Sequence, residues 1–238
     1  MSQKIPLLLV SLLTTYLTVQ GQRNTVVGVL GTVNNDIYHF VDQGNALTAK
    51  NLPSGGLGFF IAHEIGKNIL AETGIMTKLY KQGYLFNTGS GYTSSNRSFR
   101  ALQIPVAVSA KINVLENLIF LEPRFGLHFG LRDQRMGRGH GSGSSGEESY
   151  TIEFEQDQSI VRHYLLMETG MELAFHLYKE LSISTRLSYF NGFKPLSRIN
   201  YQYTINNGTT QSAFNESQGD YWSMGLGVKY WLPKKGGE

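Results

Sequence analysis

The side chains in this chain that could carry chemistry are Glu72, Lys78, Lys111, Glu122, Arg124, His128, Glu168, Glu172, His176, Arg186 and Lys229. They fall on the polar side of stretches that alternate between apolar and polar residues. If those polar sides converge, carboxylates, cations and imidazoles meet in one place. Packed out of water, such a set forms an ion-pair network, because a buried charge persists only when it is paired. Lining a wet passage, the same set would be a proton or ion path. A narrow barrel has its interior filled by side chains, which favours the network.

Other chemistry finds less support. Hydrolysis or transfer of lipid A acyl chains would need His, Ser and a carboxylate within hydrogen-bond reach at a lipid-facing surface. The expected outward histidines are His63 and His163, and neither has an outward Ser or acid two residues away. His140, in RGHGSG, has no second ligand at metal-binding spacing. No catalytic, cofactor-binding or metal-ligating residue is therefore assigned, and no cofactor is expected. Asn-x-Ser/Thr triplets at Asn96, Asn207 and Asn215 are expected by chance in loops rich in Asn and Ser.

The elements that must position the charged set are strands. In Ile119–Arg132, Ile119, Leu121, Pro123, Phe125, Leu127, Phe129 and Leu131 share one side. Phe120, Glu122, Arg124, Gly126, His128, Gly130 and Arg132 share the other. Period-two alternation of this length predicts a long half-buried strand. Similar patterns begin at Val26, Leu57, Ile69, Leu102, Val161, Leu181 and Tyr221, which makes eight strands in all. Pro105 removes a ladder donor from one of them and suggests a local bulge. Connections alternate between long and short. The long ones include residues 41–55, 87–98, 133–157 and 195–219, and the Gly/Ser-rich 133–157 segment reads as a flexible loop.

Residues 1–21 read as a secretory signal peptide: Lys4, a short apolar run interrupted by threonines, then Val19-Gln20-Gly21. Residues 22–238 then form one domain. No later stretch is apolar enough for a spanning helix. A net charge of +3, with no basic run, argues against nucleic acid as a partner. A mean hydropathy of −0.20 suits a soluble protein or a membrane barrel, since only alternate strand residues of a membrane barrel face lipid.

Alternation alone fits a soluble sandwich or a lipocalin-like ligand-binding barrel with an apolar lumen. Three features favour the opposite polarity. The polar sides hold Gly58, Gly74, Gly126, Gly130, Gly170, Gly225 and Gly227, which gain nothing from solvent but fit a crowded lumen. The long-short rhythm matches outer-membrane barrels. Aromatic residues gather near strand ends at Tyr80, Tyr84, Phe99, Tyr189, Phe193, Tyr221, Trp222, Tyr230 and Trp231, where interfacial girdles would lie. The expected fold is all-β, an eight-stranded antiparallel up-and-down transmembrane β-barrel.

GLGFF at 56–60, ILAETG at 69–74, LQIPVAV at 102–108, FLEPRFGLHFG at 120–130 and MGLGVKYWL at 224–232 together resemble the PorT-like outer-membrane β-barrel family of Bacteroidota. That resemblance implies an OmpA/OmpX-type barrel in the outer membrane of a Gram-negative bacterium, with both termini periplasmic. It also implies contact with outer-membrane lipid, lipopolysaccharide and the barrel-assembly machinery. Surface or secretion partners would be met through residues 133–157 and 195–219. The expectation is a structural or surface-interaction protein rather than an enzyme. Participation in secretion and lipid modification are the alternatives.

Overall fold

Residues 119–132 form one uninterrupted strand whose side chains are alternately covered and open, and both its neighbours repeat the pattern. The computed structural model describes residues 25–233, apart from 90, 117, 134–136, 146–147, 158–161 and 179. The expected signal peptide lies outside the described residues.

In chain order the strands are β1 (Thr25–Asp36), β2 (His39–Asp42), β3 (Leu47–Lys50), β4 (Pro53–Glu64) and β5 (Ile69–Asn87). There follow β6 (Tyr92–Ala110), β7 (Ile112–Leu115), β8 (Ile119–Arg132), β9 (Arg138–Ser145) and β10 (Glu148–Gln156). The chain ends with β11 (His163–His176), β12 (Leu181–Gly192), β13 (Ser197–Ile205), β14 (Gln211–Ser217) and β15 (Tyr221–Trp231).

Eight of these close a barrel in the order β11-β12-β15-β1-β4-β5-β6-β8, and pairing of β8 with β11 completes the ring. Closure leaves no open edge in the wall, which is the condition for backbone to lie in lipid. Thr25 and Trp231 lie at the same end as the short turns, where Glu180 O accepts the Trp231 N–H. Pro105 causes no bulge. The β5–β6 register is the same on both sides of it, from Thr73↔Val106 to Met76↔Gln103, and the Thr73 hydroxyl donates to Pro105 O at 2.8 Å. A side-chain hydroxyl thus engages the backbone where the ladder has lost its donor.

The barrel exterior is apolar all round. Val33, Leu57, Phe59, Ile75, Ile104, Val106, Phe129, Leu187, Met224 and Leu226 all stand open, with Leu226 at 68% exposure. On β6 this changes sign part-way. From Leu102 through Val108 the outward residues are apolar, whereas Ser94, Asn96, Ser98 and Arg100 above them are polar. On β5 the outward residues from Ile69 to Leu79 are apolar or threonine, Lys81 follows, and Leu79 lies directly opposite Arg100. The stretch from Ile69 to Leu79 is about the length a tilted strand needs to cross a bilayer.

Above that boundary the long segments expected to be loops are strands. Residues 133–157 contain the β9–β10 hairpin, and residues 195–219 contain β13 and β14. With β2 they form a five-stranded sheet in the order β2-β14-β13-β10-β9. This sheet packs on the upper parts of β5 and β6 and on β3 through Leu47, Tyr84, Phe86, Ile152, Ile199, Tyr201 and Tyr203. The Gly-rich run is ordered because its partner strand supplies what it lacks. Gly139, Gly141 and Gly143 lie opposite Phe154, Ile152 and Tyr150, and a Cβ on Gly139 would collide with the Phe154 ring. Cross-strand packing of a ring over glycine is a recognised stabiliser of such strands.

Candidate functional site: the lumen network and the cavity above it

The inward faces of β5, β8, β11, β12 and β15 bring eight of the eleven expected residues into one connected chain of charges. His128 Nε2 lies 2.8 Å from Glu168 Oε2, and the same oxygen accepts from Arg124 Nε at 2.9 Å. Arg124 reaches on to Glu72 at 2.8 Å, and Glu72 in turn meets Arg186 at 3.2 Å. Arg186 holds Glu172 at 2.7 Å, and Lys229 bridges Glu172 and Glu122 at 2.7 Å each. All eight are buried. Ser188 Oγ donates to the remaining oxygen of Glu168 at 2.8 Å. Four carboxylates thus face three permanent cations, and the imidazole of His128 is the fourth partner.

The register explains the convergence. Glu172 pairs with both Glu122 and Arg186 across neighbouring strands, and Gly170 pairs with Arg124. Two carboxylates directly opposite would repel, and Lys229 Nζ placed between them removes that conflict.

The other three expected residues lie apart. Lys78 sits nearer the long-hairpin end, ion-paired with Asp36 and hydrogen-bonded to Ser54 Oγ at 2.7 Å. Its ammonium lies over the rings of Tyr80 and Tyr221, at 4.2 and 4.5 Å from their centroids. Lys111 and His176 are at the opposite mouth. Lys111 Nζ lies over Phe120 and Trp231, and the His176 ring lies 4.7 Å from Phe120. Cations over aromatic faces are held by the ring quadrupole, so both ends of the charged chain are closed by rings.

The aromatic reading of the sequence needs correction here. Tyr80, Tyr84, Tyr221 and Trp231 are buried, and Phe99 stacks on Tyr80 at 4.9 Å. They pack inside, because each has the inward parity of its strand. Outside, Tyr189 packs against Trp222 at 4.9 Å at one end and Tyr230 stands open at the other, with Phe193 also exposed. His63 is also covered, with Nδ1 2.9 Å from Thr25 Oγ1, whereas His163 is exposed.

Sequence reasoning missed Asp36, Gln103 and Tyr164. Gln103 donates to Tyr164 Oη at 3.1 Å and to Tyr80 Oη at 3.3 Å, and accepts from Tyr221 at 3.3 Å. Inward parity on each strand was the available signal. Above this aromatic floor lies a cavity of about 400 Å³, lined in part by Gln82, Arg97, Phe99, Asp133 and Gly137. Burial pushes the Arg97 guanidinium below its ordinary pKa, and the neighbouring Tyr201 and Tyr84 oppose that shift.

Among solved structures the chain is similar to the outer membrane protein OprG from Pseudomonas aeruginosa. The TM-score is 0.52 at 8% identity, over 89% of this chain and 97% of that one. It also matches Neisserial surface protein A, with a TM-score of 0.45 at 8% identity over 87% and 96%. The outer membrane protein AlkL, solved in lipid bilayers, matches with a TM-score of 0.45 at 15% identity over 92% and 94%. The first likeness supports the eight-stranded barrel fold. No protein-family model and no curated protein matches this sequence.

Proposed function

We propose that this chain is an integral outer-membrane barrel that presents a rigid β-sandwich head at the cell surface and conducts nothing through its charged, filled lumen. The observation that carries this reading is the polarity change along β5 and β6. From Ile69 to Leu79 on β5 and from Leu102 to Ala110 on β6 the outward residues are apolar or threonine, while Glu72 and Lys78 point inward. Above them the outward residues are mostly polar, with Lys81, Ser94, Asn96, Ser98 and Arg100 beside Leu85, and the inward Tyr84 and Phe86 belong to an apolar core. One continuous hairpin with opposite polarity in its two halves matches two solvents, lipid below and water above. A lipocalin-like soluble barrel would keep one polarity throughout.

On this reading the short turns and both termini are periplasmic, and lipopolysaccharide surrounds the upper rim at Lys81 and Arg100. The barrel-assembly machinery inserts the chain after the signal peptide is removed. The head is the surface through which a partner, including a secretion component, would be met. The PorT-like resemblance rests on the five sequence segments alone.

Because the chain contains no Cys, orientation can be read with single cysteines. Ser142→Cys, on the exposed face of β9, is expected to react with a membrane-impermeant maleimide in whole cells. Lys67→Cys, in a short turn, is expected to react only after the outer membrane is permeabilised. The reverse pattern, or equal labelling in intact cells, would overturn the orientation.

A further inference from the structure

We propose that the cavity above the aromatic floor binds a small organic monocarboxylate, its carboxylate held by Arg97 and by the amide of Gln82. This goes beyond the surface role above and stands on the cavity itself.

Gln82 and Arg97 are direct cross-strand partners on the inward faces of β5 and β6, one layer above the Tyr80–Phe99 pair. Among the described residues Arg97 has no carboxylate partner. Instead its guanidinium carbon lies 3.6 Å from the centroid of the Phe154 ring, which holds the group over that ring. A Cβ at Gly137 would come within 2.6 Å of Arg97 Nη1, so glycine there keeps the guanidinium's space open. Gln82 is 4% exposed and accepts from Ser197 Oγ at 3.2 Å, yet its Nε2 is buried without a hydrogen-bond partner. A buried donor left unpaired costs free energy that a ligand acceptor would recover. A guanidinium and an amide N–H on neighbouring strands can together serve the lone pairs of one carboxylate.

The rest of the cavity limits the class. Phe99 offers an apolar wall at the floor, and about 400 Å³ holds a molecule of roughly one ring. One guanidinium and one amide serve a single carboxylate, so the ligand is a monoanion with an apolar or sugar body.

The test uses the full mature chain in lipid nanodiscs, titrated by calorimetry and ligand-observed NMR. The probes are benzoate and glucuronate, each set against its neutral counterpart, benzyl alcohol and glucose. At least one acid is expected to bind saturably, with its neutral counterpart at least about tenfold weaker, as loss of a charge-assisted pair implies. Arg97→Gln is expected to weaken that acid at least about tenfold, and Gln82→Met, close in volume, several-fold. Arg198→Gln, which removes a cation paired with Glu216 on the opposite face of β13, leaves binding unchanged. Gel mobility without heating verifies that each variant is folded. If Arg97→Gln fails to fold, Gln82→Met and Arg97→Lys carry the test. Absence of saturable binding by either acid, equal binding of the neutral counterparts, or full retention in the Arg97 and Gln82 variants would overturn the proposal.

Discussion

Arg186→Leu is expected to lower the unfolding free energy of the barrel by about 3–5 kcal/mol. Arg186 is 5% exposed and touches both Glu72 and Glu172. Removing it leaves those carboxylates with Arg124 and Lys229 alone, each of which already serves a second acid. The cost comes from stranded negative charge and not from lost attraction, because desolvation offsets much of what a buried pair gains. The double variant Arg186→Leu with Glu172→Leu separates the two. It leaves Glu72 with Arg124, and Lys229 with Glu122, so every remaining charge of the broken segment has a partner. More than half of the lost stability is expected to return. Urea unfolding in phospholipid vesicles, followed by gel mobility, reads both. A single variant within about 1 kcal/mol of the parent would mean that the lumen is wet enough to solvate the orphaned acids.

Leu226→Arg is expected to cost about 2–4 kcal/mol in the same vesicles. Leu226 is near the middle of β15, opposite Gly31 on β1 and Thr185 on β12, and it is the most exposed apolar side chain of that strand. In water such a replacement on an open position changes stability by less than about 0.5 kcal/mol. Gln202→Arg supplies that comparison, since Gln202 is exposed on the outer face of the head. The expected contrast is therefore a large loss at 226 and almost none at 202. Equal tolerance at the two positions would place both in water.

The barrel was legible in the sequence wherever the two sides of a strand differ strongly. Ile119–Arg132 ends in the structure where the alternation ends, because a one-residue slip would exchange Phe125 and Phe129 with Arg124 and His128. The charged set converged for the same reason: parity alone puts Glu72, Arg124, Glu168 and Arg186 inside. The identity of each partner was not legible. Asp36 meets Lys78 across 42 positions of sequence, and only the closure of β1 onto β4, and β4 onto β5, brings them together.

The head was not legible because its order is supplied by neighbours. β9 reads RGHGSGSS, which has weak strand propensity of its own. Its strand character comes from Tyr150, Ile152 and Phe154 on the next strand. The place of Tyr80 and Tyr221 near the ends of alternating stretches predicts the membrane rim. Their parity with Lys78 and Ser223 puts them in the lumen instead.

The central claim is that one face of this barrel wall meets lipid. The most direct measurement attaches a nitroxide to single cysteines at Met224, Leu226 and Val228 of the protein in phospholipid vesicles. Its collision rates with oxygen and with a water-soluble nickel chelate are then compared. Oxygen is expected to dominate at all of these positions, with the chelate nearly excluded at Leu226. High chelate accessibility at Leu226, comparable to a label at Gln202 in the head, would show an aqueous exterior and contradict the membrane-spanning barrel.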